Sequence, residues 1–167
     1  MRGVSQTRMA RATELRGVVK ASFYPFAESQ GFVRVKSRNS LFTQFRRARP
    51  DALQVFDIQW EKCGGPSFVL NFGEYAVAGV DPAEIAHVDP FEAYPGRYRP
   101  GGRLQHSRGP FGWFGLRKPW REALKSLTLR YRPDEVVQQV MDCFPEIEAW
   151  WAHRQEGPHI EIIHLAG

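Results

Sequence analysis

The 167-residue chain carries 23 Lys and Arg against 18 Asp and Glu, is 43% hydrophobic and 13% aromatic, and holds two cysteines. A chain of this length buries roughly 70% of the surface its unfolded form exposes, enough for one core and one domain over residues 1–167 but short for two. So many aromatics exclude a disordered chain, Gly and Pro follow no collagen period, and Cys63 and Cys143 fit neither a disulfide framework nor a zinc knuckle, so a reduced cytoplasmic setting is expected.

The first twenty residues are basic but lack the apolar run of a secretory signal, and residues 1–8 read as a flexible extension. No later stretch approaches the roughly 20 apolar residues that a membrane span requires, so no membrane partner is expected. From Thr7 to Gln30, Leu15, Val19, Phe23 and Phe26 recur at helical spacing, which predicts an amphipathic helix that Pro25 interrupts near Tyr24 and Gly31 stops. Four runs then show strand composition or alternation: Phe32–Ser37, Leu41–Arg47, Leu53–Trp60 and Ser67–Val77. Their connections are short and rich in turn formers, so they pair as an antiparallel four-stranded meander. Alternation turns Phe56, Ile58, Trp60, Phe68, Leu70 and Phe72 toward the helices. The other face would then be open and polar. A long Gly/Pro/Arg-rich loop over 79–119 follows, with one helical turn possible at Asp81–Glu84. Pro133-Asp134-Glu135 opens a second helix carrying Val137, Val140, Met141, Phe144, Ile147 and Trp151, with a kink expected at Pro145, and His159–His164 reads as an edge strand of undetermined position. The fold class is α+β, the sheet packed on one face by the N-terminal and C-terminal helices.

The net charge of +5 conceals opposing blocks. Residues 34–49 hold six basic side chains and no acid, and residues 97–132 hold ten against Glu122; residues 51–92 hold eight acids against Lys62, and 133–167 hold seven against Arg154. If the basic blocks converge, they make a positive cleft; otherwise the blocks neutralise one another across the surface.

The run SQGFVRVKSRNSLFTQFRR followed by LQVFDIQWEKCGGPSFVLNFGEY resembles an uncharacterised bacterial family catalogued as domain of unknown function 4304. The likeness lies in Gly31-Phe32 at the entry to the first strand, in Gln59, in the FVLNFG run around Asn71, and in the Arg108 region and Trp120. It covers roughly residues 15–150. Glu61 stands where the family more usually has Lys. The resemblance implies this fold and an intracellular bacterial setting, and it implies no activity.

Candidate chemistry is sparse. His153, Glu156 and His159 lie close in sequence, but Gly157-Pro158 divides them and no HExxH spacing is present, so no metal site and no cofactor are assigned. Cys63 lies in a turn without a nearby base. Asp57 and Glu61 share a strand face but stand about 13 Å apart, too far for a carboxylate dyad, so Asp57 is expected in a cross-strand ion pair. Phosphate loops are absent. The interleaving of Arg with aromatics from Tyr94 to Trp120 has the ingredients for stacking on single-stranded nucleic acid, but the expectation preferred for Trp113, Phe114 and Trp120 is that they anchor the loop into the core. No catalytic residue is assigned. The candidate binding residues are Arg34, Lys36, Gln44, Arg46, Asp57, Gln59 and Asn71 on the polar sheet face, and Arg97, Arg99, Arg103, Arg108, Trp113 and Arg117 in the loop. The expected function is a non-enzymatic interaction domain whose basic cleft engages an acidic protein partner; single-stranded nucleic-acid binding and a small hydrolase or transferase are the alternatives.

Overall fold

The computed structural model describes residues 2–37, 39–76, 95 and 101–163. Helix α1 (Arg2–Val18) begins at the second residue, so the stretch expected as an extension is helical from Arg2 onward. A five-residue π segment, Val19–Phe23, leads into α2 (Tyr24–Ser29). Pro25 lies in the first turn of α2, where its missing N–H costs no hydrogen bond. The interruption expected at Tyr24 is therefore absorbed one turn earlier, as a wider turn in which the Tyr24 N–H donates to the Val19 carbonyl. The apolar stripe survives the change of pitch: Leu15, Val19 and Phe23 are all buried. Gly31, at φ +86°, ends the helix in the left-handed conformation that glycine tolerates best.

Strands β1 (Val33–Val35), β2 (Phe42–Ala48), β3 (Ala52–Trp60) and β4 (Ser67–Ala76) pair consecutively and antiparallel, as the short connections require. The sheet does not stop at four strands. Strands β5 (Gly101–Leu104) and β6 (Phe114–Gly115) both pair with the far edge of β4, at residues 70–73 and 67–68, and β7 (Ile160–Ile162) pairs with β5. The seven-stranded order is β1-β2-β3-β4-β5-β7, with β6 beside β4. Two of the added strands lie inside the region expected to be loop. β5 opens with two glycines and β6 has only two residues, so neither carries an alternation long enough to read. The turn expected at Asp81–Glu84 lies outside the described residues.

Between β6 and the last helix stands a short helix, α3 (Trp120–Ser126). Helix α4 (Pro133–His153) then runs unbroken through Pro145, and the Glu135 carboxylate accepts the Arg132 N–H at 2.6 Å at its start. Its buried stripe of Val136, Val137, Val140, Phe144, Ile147, Trp150 and Trp151 meets one face of the sheet. Among the described residues, no helix is long and apolar enough to cross a membrane.

The core is organised by a cross-strand row in which Phe45, Phe56 and Phe72 stand opposite one another and Gly102 follows on β5. Phe56 stacks on Phe45 at 4.9 Å and meets Phe32, Phe144 and Phe23 edge-on at 4.9, 5.4 and 6.1 Å. Beside this row Arg47 is buried on the helix side. Its guanidinium lies 4.3 Å from the Phe32 ring centroid and donates to Gln54 Oε1 (2.9 and 2.7 Å), to the Gln30 carbonyl (3.0 Å) and to Glu148 Oε2 (2.6 Å), tying β2 to β3, α2 and α4. Four hydrogen bonds to three acceptor oxygens, together with the Phe32 ring, compensate the burial of this cation.

Two glycines test the packing. A Cβ on Gly102 would stand 2.7 Å from Phe72 Cζ and 3.1 Å from the Glu161 carbonyl, whereas one on Gly17 would meet nothing. Gly102→Ala should therefore cost about 1–3 kcal/mol by overpacking, and Gly17→Ala on the exposed side of α1 should gain about 0.5–1 kcal/mol. Urea denaturation of the two variants reads both signs.

Candidate functional site

Alternation places a second row on the opposite face of the same strands. Gln44, Asp57, Asn71, Arg103 and Glu161 stand in consecutive register across β2, β3, β4, β5 and β7. Asn71 Nδ2 donates to Asp57 Oδ1 at 2.8 Å and to Gln59 Oε1 at 3.0 Å, and Arg103 Nε donates to Asn71 Oδ1 at 3.0 Å. Arg46 donates to Gln44 Oε1 at 3.3 Å, and at the far end Gln105 Nε2 donates to Glu161 Oε2 at 2.8 Å. The ion pair expected for Asp57 is thus a relay: the guanidinium orients the amide, and the amide holds the carboxyl. Glu61, its neighbour along the strand, is engaged elsewhere, by Arg8 and by the Ser67 hydroxyl at 2.7 Å.

This face is polar as expected, but it is not open. Asp57 is 6% exposed, Asn71 8%, Gln44 and Arg46 4%, and their row neighbours Leu53, Val55 and Val69 are fully buried. Burial pushes the Asp57 carboxyl up to about 7, against the hydrogen bond from Asn71 and the charge of Arg103, which both lower it. A carboxyl in this setting exchanges its proton near neutrality.

The remaining expected site residues scatter. Arg34 faces Phe45 across β1 and β2, so it belongs to the helix side, where its guanidinium lies 5.3 Å from the centroid of the Tyr24 ring. It shares parity with the buried Phe32, and its exposure comes from β1 being the edge strand. Lys36 is exposed beyond the end of β1, and Arg108 is exposed and donates to the Gly157 carbonyl at 3.1 Å. Arg97 and Arg99 lie outside the described residues. With Arg34 on the helix side, Arg46 buried and Arg103 engaged by Asn71, the described members of the two groups do not form one open basic cleft. Of the aromatics assigned as anchors, Phe114 is buried against Phe68, Trp113 is half-buried, and Trp120 is 68% exposed.

Trp120 opens a feature that pattern reading did not isolate. Helix α3 buries none of its residues, yet the segment that carries it is closed by its own hydrogen bonds. Lys118 Nζ donates to Ser126 Oγ (2.9 Å) and Thr128 Oγ1 (2.7 Å), and the backbone at Arg117 pairs antiparallel with that at Arg130, the Lys118 N–H donating to the Leu129 carbonyl (3.2 Å) and the Tyr131 N–H to the Leu116 carbonyl (2.9 Å). Tyr131 donates its hydroxyl to Glu122, which His106 Nε2 also approaches at 3.3 Å; burial and this carboxylate hold the Tyr131 hydroxyl well above the usual tyrosine range. On this fixed scaffold Trp120, Leu124, Leu127 and Leu129 are 68%, 66%, 90% and 79% exposed. Residues 116–132 contain six Lys and Arg and one acid, Glu122, which is the one already bonded. The signal was present as Trp120, Leu124 and Leu127 at positions i, i+4 and i+7, in a run too short to score as a helix.

No family model, no curated protein and no solved structure matches the chain. The reading of the site rests on its own chemistry.

The Asp57 carboxyl makes a pH prediction with a defined sign. Unfolded, it titrates near 3.8; folded, near 7. Between those values the folded state keeps a proton that the unfolded state has lost, so the contribution of Asp57 to stability is fully present below about pH 4 and is lost as pH rises through 7. Asp57→Asn should remove that loss, and its stability relative to the parent should rise by a few kcal/mol between pH 4 and pH 8 in urea titrations. A difference that stays constant with pH would mean that Asp57 is ionised throughout.

Proposed function

We propose that the protein is a non-enzymatic interaction domain of the bacterial cytoplasm that engages an acidic protein partner through the lobe built around α3. The observation that carries this reading is Leu127. It closes α3 with φ +54°, a left-handed conformation that costs a leucine about 1 kcal/mol or more, and it does so with its side chain 90% exposed. An apolar side chain held strained and in water gains nothing within the chain; it gains on contact. Trp120 stands with it, and Trp and Arg are the residue types that most often dominate binding energy at protein interfaces. Arg117, Arg121, Lys125 and Arg130 lie in the same short segment, Arg121 with its guanidinium 5.3 Å from the Trp120 ring centroid, and this positive charge selects an acidic surface and speeds encounter with it. The cytoplasmic setting is supported by two free cysteines and no disulfide, and kinship with the domain of unknown function 4304 family is proposed on the Gly31-Phe32, Gln59 and Asn71 motifs.

Three probes separate the possible partners: an acidic peptide bearing Leu and Phe, a single-stranded oligonucleotide, and phosphatidylserine vesicles, each titrated against Trp fluorescence. The peptide should bind, and Trp120→Ala should weaken it by about 2 kcal/mol while leaving the melting temperature unchanged. Oligonucleotide binding that falls steeply with salt, or vesicle binding in place of peptide binding, would overturn the reading.

A second reading, a small hydrolase or transferase, is favoured by the Asp57 carboxyl, poised near neutrality beside Asn71 with Arg103 beyond it. It requires a turnover that Asp57→Asn abolishes and Trp120→Ala does not.

A further inference from the structure

Cys143 and Glu146 are three residues apart on α4 and so share one helix face, and His159 occupies the turn before β7 against that face. One ligand atom from each of the three lies within 4.8 Å of the other two. We propose that Cys143, Glu146 and His159 form a binding site for a divalent cation of the zinc class.

The geometry is built rather than incidental. The Glu146 carboxylate divides its two oxygens: Oε2 accepts the His159 backbone N–H at 2.9 Å, which fixes the carboxylate, and Oε1 faces His159 Nδ1 at 2.5 Å. The turn can come this close because residue 157 is glycine; a Cβ there would stand 2.0 Å from Glu146 Oε2. The turn is also held from behind. The Gln105 N–H donates to the His159 carbonyl at 3.1 Å, and Arg108 donates to the Gly157 carbonyl at 3.1 Å, so the imidazole is carried on a backbone pinned from two directions. Metal ligands need this kind of outer support, because the ion is held only as well as its ligands are oriented.

The donor set selects the ion. A thiolate, an imidazole and a carboxylate suit zinc and exclude magnesium and calcium, which take oxygen ligands. Thiolate plus carboxylate supply two negative charges, which neutralise one divalent cation. Bonds of about 2.0–2.3 Å to a tetrahedral ion place ligand atoms about 3.5 Å apart, so separations of up to 4.8 Å close by about 1.3 Å at most while Glu146 Oε1 and His159 Nδ1, at 2.5 Å, part by about 1 Å, both within reach of side-chain rotation. Binding transfers the Cys143 thiol proton to solvent as the Sγ–metal bond forms, and the fourth position is left to water. His153 and Glu156, which sequence proximity would group with His159, are both exposed and are not members of the cluster. The fifteen residues between Cys143 and His159 correspond to no metal-binding motif, so only the fold brings the three together.

Cobalt(II) is the probe, because a cobalt–thiolate bond has a charge-transfer band in the near ultraviolet. The full chain is freed of metal with a chelator in a Cys63→Ser background, which removes the other thiol, an exposed one. The expected result is a band that saturates at one equivalent of cobalt and is displaced by one equivalent of zinc, absent in Cys143→Ser, and requiring more than about tenfold more cobalt in His159→Gln. The parent titration needs no variant to fold. No saturable band in the parent, or a band that persists in Cys143→Ser, overturns the proposal and leaves Glu146 and His159 as a simple hydrogen-bonded pair.

Discussion

Register in the central three strands is the constraint on which everything else depends. Phe45, Phe56 and Phe72 must stand opposite one another for the helices to find a continuous aromatic floor, and Phe56 alone touches rings from the π segment, the β1 entry, β2 and α4. Because successive side chains of a strand point to opposite faces, a slip of one residue would carry Asp57, Asn71 and Gln44 into that floor and expel the phenylalanines. Burial of an aromatic side chain contributes about 2–3 kcal/mol, and leaving a carboxyl among apolar rings costs several. The two rows therefore reinforce a single register, one by attraction and the other by exclusion. Gly102 extends the logic to β5, where the absence of a side chain makes room for the Phe72 ring.

The polar row is consequently more than the reverse of the apolar one. Gln44, Asp57 and Asn71 are as buried as much of the core, so their polar groups need partners within the row, and the alternation of donor and acceptor from the half-buried Arg103 through Asn71 to Asp57 supplies them with neutral and charged groups in turn. Asp57 meets the cost of burial partly by holding its proton. Arg47 resolves the same problem on the other face by the opposite route, keeping its charge and collecting four hydrogen bonds to three acceptor oxygens beneath an aromatic ring. One sheet thus buries an acid and a base, and the difference lies in how many partners each side chain finds.

Periodicity made legible whatever repeats for long enough. Strands β2 to β4 alternate over seven to ten residues, and α4 repeats over twenty-one, and both were readable with their faces. β5 and β6 were not, since four residues opening on Gly-Gly and a pair of residues have no period. Arg34 was assigned to the wrong face although it shares parity with Phe32; a charged residue was placed among charged residues, while on an edge strand the helix side also reaches solvent and offers the Tyr24 ring. Of the site, the polar row was legible because it follows from alternation. Its burial was not, since a strand pattern states which residues share a face and nothing about what lies over them. Trp120 was misassigned for a related reason: an aromatic in a Gly/Pro-rich segment is ordinarily an anchor, and only its 68% exposure on a hydrogen-bonded scaffold separates it from Phe114, six residues earlier and fully buried.

Charge gains meaning only once each basic residue is placed. Arg47 is consumed by its acceptors, Arg103 by Asn71, Arg8 by Glu61 and Arg154 by Glu74. Residues 116–132 differ in holding six cations against one acid, Glu122, with Arg132 alone paired to an acid just outside the segment, Asp134. The +5 of the whole chain understates a local excess of the same size gathered on seventeen residues. Such an excess would be costly on a mobile loop only in the sense of self-repulsion, and it could relax by spreading. On α3 it cannot spread, because Lys118, Ser126, Thr128 and Tyr131 lock the segment in place. A fixed concentration of like charge around exposed Trp120 and Leu127 is therefore a standing cost in the free protein, and an acidic apolar surface is the environment that would remove both parts of it at once.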